Sequence, residues 1–258
     1  MGWLQDLRAR ADRPPVQVRA ELRIEGHASA VGSIEPALAQ RMAAAGLDLR
    51  AIAGHWCVAG APLNAAFERM AVWLREQGLG SAWRDELLSV CDAQGAPLAM
   101  IERAAVRPLG IATQAVHLVG WAEEGGVWVQ QRAFDKATDP GQWDTLMGGL
   151  VSAGEGLVAT LARETWEEAG LRIAALRDVA AGGRITVRRP VADGYMVEHI
   201  HVFEALVPAG LVPLNQDGEV AAFGRLNLDA LEQRLRAGLF TLEAALILAG
   251  ALEARKRG

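Results

Sequence analysis

The segment from Gly148 to Leu171, GGLVSAGEGLVATLARETWEEAGL, constrains the fold more than any other part of the chain. Apolar and small residues recur in it at intervals of three and four, the pattern of a helix packed on a core. These residues are Val158, Leu161, Ala162, Thr165 and Ala169. Gly170 follows where a helix commonly ends in a left-handed residue, and Leu171 can fold back onto the last turn. The segment is therefore predicted to be a loop followed by a helix.

Three glutamates of this predicted helix, Glu164, Glu167 and Glu168, stand at i, i+3 and i+4, so we expect their carboxylates to project from one face. Like charges at these spacings each cost an isolated helix about 0.2–0.5 kcal/mol, and no lysine lies four residues away to relieve them. A bound cation would relieve this repulsion between the carboxylates. Ligands that offer only oxygen suit Mg²⁺ or Mn²⁺ better than zinc, and such ions share their sites with substrate phosphates. The pattern predicts a metal site that acts on a phosphorylated compound.

Composition and charge exclude several other classes of protein. A net charge of -5 provides no basic field for a nucleic acid or an anionic membrane. Cys57 and Cys91 lack metal-type or redox-type spacing, which suits a reducing compartment. The N-terminus lacks the apolar core of a signal peptide, and the longest apolar run, Ala244–Leu252, is too short to cross a bilayer. We expect a soluble, cytoplasmic protein with neither nucleic-acid nor membrane partners.

Hydrophobic patterning divides the chain in two. Residues 1–107 mix strand and helix patterns, begin with an amphipathic helix and close on a hairpin that turns at Asp92–Gly95. Within them the stretch LRAIAGHWCVAG is predicted to form one strand. This order predicts a small α+β domain whose role the sequence does not indicate. Residues 108–258 contain two strands joined by an EEGG turn, the acidic segment, further strands to Pro208 and two C-terminal helices. They are predicted to form a second domain.

An acidic helix face is on its own usually just solvated. Here, however, the spacing over 149–171 is complete: Gly149, five residues, Glu155, seven residues, Arg163-Glu164, two residues, Glu167-Glu168, one residue, Gly170 and the aliphatic Leu171. In this it resembles the signature of the Nudix hydrolases at every charged and glycine position. Thr165 departs from the signature, since an aliphatic residue is usual there. Because it falls on the predicted buried stripe, we expect Thr165 to affect packing more than catalysis.

The resemblance implies a Nudix-type α/β/α sandwich with a mixed sheet, and hydrolysis of a diphosphate with the help of Mg²⁺ or Mn²⁺. The implied metal ligands are Glu164, Glu167, Glu168 and the carbonyl of Gly148. Arg163 would orient the glutamates, and Glu155 would help to fix the loop. The metal would neutralise diphosphate charge and lower the pKa of a bound water. The general base stays open between Glu164, Glu219 and Glu198.

Segments outside the box, such as ERAAVRPLGIATQAVHLVGW and QQRAFDKATDPGQWDTLMGGL, resemble a Nudix subgroup related to the N-terminal half of fungal thiamine pyrophosphokinase. That subgroup carries a preceding domain of unknown function. The resemblance implies hydrolysis of thiamine diphosphate or its oxidised analogues to the monophosphate and phosphate. Arg132, Lys136, Glu198 and Glu219 would bind the substrate. Its aromatic ring would face one of three tryptophans, Trp143, Trp121 or Trp128.

Other functions stay open. A Nudix hydrolase acting on ADP-ribose, NADH or another nucleotide derivative would carry the same box, because the box contacts only the shared diphosphate and metal. The loop RAFDKATDPGQWD also resembles isopentenyl-diphosphate isomerase, but that enzyme depends on a cysteine in its active-site region, and both cysteines here come earlier. A ligand-sensing Nudix module often lacks box glutamates, whereas this chain has all of them. The histidines His117, His199 and His201 are interpreted as core or rim residues. A monomer and a homodimer both stay open.

Overall fold

The structure is a computed structural model that describes residues 2–257. Its first elements are α1 (Gly2–Ala11), β1 (Ala20–Ile24), β2 (Ala30–Ile34), α2 (Pro36–Ala44), β3 (Leu49–Ile52), β4 (His55–Val58), α3 (Leu63–Glu76), β5 (Leu87–Cys91) and β6 (Pro97–Glu102). The strands β1 to β4 form a sheet in the order β2-β1-β4-β3, in which only β1 and β4 are parallel. Buried residues of α2, α3 and the β5–β6 hairpin share one core with this sheet. The predicted N-terminal α+β fold is confirmed.

One local prediction in this part is wrong. The stretch LRAIAGHWCVAG was expected to form one strand, but it folds into the β3–β4 hairpin. The chain reverses at Ala53 and Gly54, whose φ angles are +44° and +86°. Two successive residues at positive φ form the kind of tight turn whose twist matches that of two antiparallel strands.

The second part of the chain begins with β7 (Ala112–Ala122) and β8 (Val127–Arg132). It continues with β9 (Trp143–Asp144), β10 (Met147–Leu150), α4 (Leu157–Ala169), β11 (Arg177–Val191), β12 (Gly194–Val207), β13 (Val220–Leu226), α5 (Leu228–Arg236) and α6 (Leu242–Arg257). Its seven strands form a mixed sheet in the order β11-β12-β7-β8-β13, with β10 on β7 and β9 on β8. Only β12 and β7 run parallel.

Alternation along β7 explains the layers on this sheet, since successive side chains of a strand point to opposite faces. Val116 and Leu118 pack in a core with α4, whereas Val119 and Trp121 pack in a core with α5 and α6. The sheet therefore lies between helical layers, and the expected α/β/α sandwich is confirmed. Among residues 2–257, none of the helices combines the length and the apolar composition needed to span a bilayer.

The two parts of the chain are in direct contact. Helix α1 packs on α6 and β11, so the first helix of the chain lies on the core of the second part. The connection after β6 is held from both sides, because Ser33 donates its backbone N–H to the carbonyl of Leu109 and Tyr195 donates to that of Arg107, both at 3.0 Å. The exact position of the predicted boundary at 107/108 stays a prediction.

Hairpin β5–β6 also bonds to the loop that precedes α4. Ala153 donates its backbone N–H to the carbonyl of Leu87 at 2.8 Å, and Leu88 forms an antiparallel bridge with Ser152. The loop 151–156 is thus held between the N-terminal hairpin and α4.

Candidate active site

Two glycines of β10 let the strand approach its neighbours closely. A Cβ atom on Gly149 would lie 2.2 Å from Cδ of Glu164, and one on Gly148 would lie 2.4 Å from Cε1 of His117. Such distances are far inside van der Waals contact, so any larger residue would displace these side chains. The loop then enters α4, which ends at Gly170 in the left-handed conformation, with φ of +63°. The predicted loop, helix and helix end are present.

The buried face of α4 differs from the predicted stripe. It contains Thr160, Leu161, Thr165, Glu168 and Ala169, whereas Val158 is 69% exposed and Ala162 is also exposed. Val158 precedes Thr165 by seven residues and so has nearly the same helical angle. Val158 is nevertheless exposed, because the rest of the protein does not cover α4 this close to its first residue. Thr165 is fully buried and donates its hydroxyl to the carbonyl of Leu161 at 2.6 Å, so it packs without an unpaired polar group.

The guanidinium of Arg163 organises three carboxylates. It forms a bidentate pair with Glu155 at 3.0 and 2.9 Å, and its Nη1 also donates to Glu164 Oε1 at 2.8 Å and to Glu167 Oε2 at 2.9 Å. These bonds raise the pKa of Arg163, and they lower the pKa of the Glu155 carboxyl. Glu155 also accepts from Thr160 Oγ1 at 2.9 Å, which connects the loop to the first turn of the helix. The contacts are those that the organising and loop-fixing roles require; the catalytic roles themselves stay predictions.

Glu168 is a buried carboxyl with no cationic partner. The residue is 3% exposed. Its Oε2 accepts hydrogen bonds from Gln130 Nε2 at 2.8 Å and from the Gly148 N–H at 3.0 Å. Burial raises the pKa of Glu168 to about 8 despite those two hydrogen bonds. Burial also raises the pKa of Glu164, against the opposing effect of Arg163. A carboxyl of this kind is expensive to ionise unless a positive charge is supplied.

The donor set fits a hard divalent cation. Glu164, Glu167 and Glu168 line one cavity, and the buried Glu168 lacks a positive charge that such an ion would supply. Within residues 2–257 no group of three or more His, Cys, Asp or Glu side chains is arranged as a complete set of metal ligands, and Arg163 pairs with both Glu164 and Glu167. An incomplete cage is consistent with Mg²⁺, which takes few protein ligands and keeps waters and phosphate oxygens. Ligation by the Gly148 carbonyl stays a prediction.

The cavity has a volume of about 500 Å³ and is lined by both parts of the chain. The box helix supplies the glutamates, and the four residues predicted to bind substrate, Arg132, Lys136, Glu198 and Glu219, also line it. The N-terminal part contributes Arg84, Arg103 and Arg107. Both regions therefore face one space, although their binding roles stay predictions.

Both basic side chains that are predicted to bind the substrate already have partners in the structure. Lys136 forms an ion pair with Glu219. Arg132 donates to the carbonyl of Thr138 at 3.0 Å and lies 3.5 Å from Oδ2 of Asp144. A diphosphate that bound these side chains would compete with those contacts, of which the Lys136–Glu219 pair is partly exposed and so of modest strength, whereas Asp144 is buried.

Glu198 lies far from the box along β7. Gly148 pairs with His117, and Glu198 pairs with Thr113 four residues earlier in the same strand. At about 3.3 Å per residue, the two points are about 13 Å apart. The structure thus brings Glu164 and Glu219 towards the box end of the cavity and places Glu198 near its other end.

The histidines and tryptophans singled out in the sequence differ in whether they line the cavity. His117 lines the cavity and forms a 2.9 Å hydrogen bond with Thr145 Oγ1, while burial lowers its pKa. His199 and His201 bond to Thr186 and Gln114 and do not line the cavity. The expected ring contact is wrong for this cavity, because none of its described lining residues is a tryptophan: Trp121, Trp128 and Trp143 pack in the two cores of the second part.

Sequence reasoning missed Gln130, which bonds to Glu168, and several residues that line the cavity. Gln130 carried one readable signal, since it is a polar residue at a buried position of an otherwise apolar strand, VWVQQ. Thr113, Glu243 and the arginines of the N-terminal part carried none, because only the fold brings them to the cavity.

Comparison with known proteins agrees with this geometry. A family model described as the NUDIX domain matches residues 112–245. Nudix hydrolase 24, chloroplastic, of Arabidopsis thaliana is 33% identical over 157 residues, which cover 58% of this chain and 42% of the plant protein. An isopentenyl-diphosphate Delta-isomerase of Streptomyces avermitilis is 33% identical over 136 residues, which cover 52% of this chain and 66% of that protein.

The solved structure of DR0079 from Deinococcus radiodurans matches at 20% identity with a TM-score of 0.49, covering 60% of this chain and 92% of its own. The chain spans less than half the length of two plant relatives, 42% and 41%. The family model covers more than half of the chain, including most of the mixed sheet, α4 and the box glutamates, and the chain therefore belongs to the Nudix family.

Proposed function

We propose that the protein hydrolyses the diphosphate linkage of thiamine diphosphate, or of its oxidised oxo and oxy analogues, to the monophosphate and phosphate. One observation carries the reaction class: Arg163 holds Glu164 and Glu167 beside the uncompensated Glu168, on the wall of a single cavity. This arrangement concentrates negative charge where a cation and a diphosphate can bind together.

In the proposed reaction a water oxygen bonds to phosphorus and the bridging P–O bond breaks. One water proton passes to a carboxylate, and the leaving phosphate takes up a proton from solvent. Mg²⁺ or Mn²⁺, held by Glu164, Glu167, Glu168 and the Gly148 carbonyl, would supply charge neutralisation of the diphosphate and acidify a bound water.

Glu164 is our choice of proton acceptor. It lies within the box and is largely buried, with 15% of its side chain exposed. Glu219 is paired with Lys136, and Glu198 stands about 13 Å from the box along β7. Glu164 is itself paired with Arg163, so its position in the box is what favours it over the two alternatives.

Isomerase activity on isopentenyl diphosphate is not favoured. Cys57 and Cys91 both lie in the first part of the chain and do not line the cavity. The cavity wall is also rich in charged side chains, which suits a polar substrate better than a hydrocarbon one.

A substrate panel tests the proposal. It would contain thiamine diphosphate, its oxo and oxy analogues, ADP-ribose, NADH and isopentenyl diphosphate, each with Mg²⁺ and with EDTA. We expect Mg²⁺-dependent release of phosphate and the monophosphate from the thiamine compounds. Hydrolysis of ADP-ribose or NADH alone would overturn the substrate while leaving the reaction class intact. Isomerised product without phosphate release would overturn the class.

A further inference from the structure

The cavity continues away from the box along one face of β7. Thr113, Ala115 and His117 alternate along this strand and all line the cavity. A substrate whose diphosphate occupied the box would therefore direct its remaining moiety towards Thr113. The separation of about 13 Å between the two ends leaves room for a heterocyclic group beyond the diphosphate.

Glu198 forms the floor of this far end. Its Oε2 accepts a hydrogen bond from Thr113 Oγ1 at 3.1 Å. The residue is part-buried, and this burial raises the pKa of Glu198 to about 7, with repulsion from Glu243 as the next cause. No ion pair involving Glu198 occurs among residues 2–257. The carboxyl has acceptor capacity that the protein leaves unused.

The neighbouring charges are already matched with one another. Arg103 pairs with Glu86 at 2.7 Å, Arg107 with Asp193 at 3.4 Å, and Arg189 with Glu243 at 3.4 Å. Each arginine thus has its own carboxylate, and Glu198 is the acidic group left over. A ligand that brings N–H donors or positive charge would complement this end, whereas one bearing further carboxylates would be repelled.

The N-terminal part of the chain closes one side of this end. Val106 and the arginines Arg103 and Arg107 line it, and all three lie between β6 and β7. Their position is held by hydrogen bonds, since Arg103 donates its N–H to the Glu86 carbonyl at 2.9 Å and Tyr195 donates to that of Arg107. The wall is therefore built into the contact between the two parts of the chain.

We propose that this far end is the recognition subsite for the moiety attached to the diphosphate, that Glu198 selects a nitrogen heterocycle carrying hydrogen-bond donors, and that the N-terminal part serves to complete it. The inference rests on the proposed diphosphate hydrolysis for the position of the substrate. It gives residues 103–107 a role in specificity.

Binding without turnover tests the subsite separately from the reaction. Thiamine monophosphate and AMP, two donor-bearing heterocyclic probes, would be titrated by calorimetry in EDTA into the full chain. The variants are Glu198→Ala and the isosteric Glu198→Gln, with Glu204→Gln as control. Glu204 lies on the same strand outside the cavity and bonds Trp121 instead.

We expect at least one probe to bind, with affinity reduced about 10- to 100-fold in Glu198→Ala and less in Glu198→Gln, because a charged acceptor is lost. Glu204→Gln should bind as the wild type does. The subsite is overturned if neither probe binds the wild type, or if the Glu198 variants bind it equally well. If the Glu198 variants weaken the binding of AMP and not that of thiamine monophosphate, the subsite is supported and its substrate is a nucleotide derivative. A protein that binds its probe but cleaves no diphosphate in the panel, with phosphate measured for the thiamine compounds and AMP for ADP-ribose and NADH, would contradict the hydrolase proposal only.

Discussion

Arg163 and Glu155 form a bidentate pair, in which Nε donates to Oε1 at 3.0 Å and Nη2 donates to Oε2 at 2.9 Å. The remaining donor, Nη1, then reaches Glu164 and Glu167 together. A planar fork of five donors can satisfy this geometry, and an ammonium cannot. The loop and the acidic face of α4 are thereby fixed to one another by a single side chain.

Replacing Arg163 by lysine tests that relationship. We expect Arg163→Lys to lower kcat by about 10- to 100-fold, because residues that orient metal ligands typically matter to that extent. Steady-state phosphate release with Mg²⁺ measures it, and Arg50→Lys, on the exposed strand β3, is the control. Unchanged kcat in Arg163→Lys would show that the fork is dispensable.

Neutralising two box glutamates tests the metal site. The double variant Glu167→Gln, Glu168→Gln should lose turnover altogether while keeping its helix, since Glu168 is a buried carboxyl whose ionised form the fold does not need. Phosphate release and far-UV circular dichroism measure the two effects. Full activity with an intact helix would refute the assignment of these residues as ligands.

The close approach of Gly149 to Glu164 predicts a steric effect. An added Cβ would lie 2.2 Å from Cδ of Glu164, so Gly149→Ala should displace that carboxylate, destabilise the fold by about 1–3 kcal/mol and lower kcat. Gly156→Ala is the control in the loop that follows β10, where no atom lies within 4 Å of the added Cβ. Denaturant unfolding and phosphate release measure both variants. Equal behaviour of the two would argue against steric necessity at Gly149.

Glu198 predicts a pH dependence of stability. The folded-state pKa is about 7 against a reference of 4.5, so between these values the unfolded state binds fewer protons and stability falls as pH rises. Glu198→Gln cannot ionise, and we expect it to exceed the wild type in free energy of unfolding by up to about 3 kcal/mol at pH 8. The difference should shrink towards pH 4. Denaturant unfolding across this range measures it; a wild type more stable than the variant at pH 8 would show that the ionised carboxylate is well stabilised.

Several features followed from local spacing. The box helix, its glycine end, the β5–β6 and β7–β8 hairpins and the common orientation of the acidic residues depend on residues only a few positions apart. Such contacts repeat every 3.6 residues in a helix and every two in a strand, so the order of residue types carries them. The same spacing wrongly predicted that Val158 is buried, because the helical angle of a residue does not reveal where a neighbouring element stops covering the helix.

The sequence by itself therefore determined the two fold classes, the loop and helix of the box, and the carboxylates that are predicted to bind a metal. Only the tertiary structure decided that Glu168 is buried against Gln130, that Glu198 lies about 13 Å from the box, and that Arg103 of the N-terminal part faces the same cavity. These relationships join residues tens of positions apart. They depend on which strands pair and how two cores meet, which spacing along one chain does not encode.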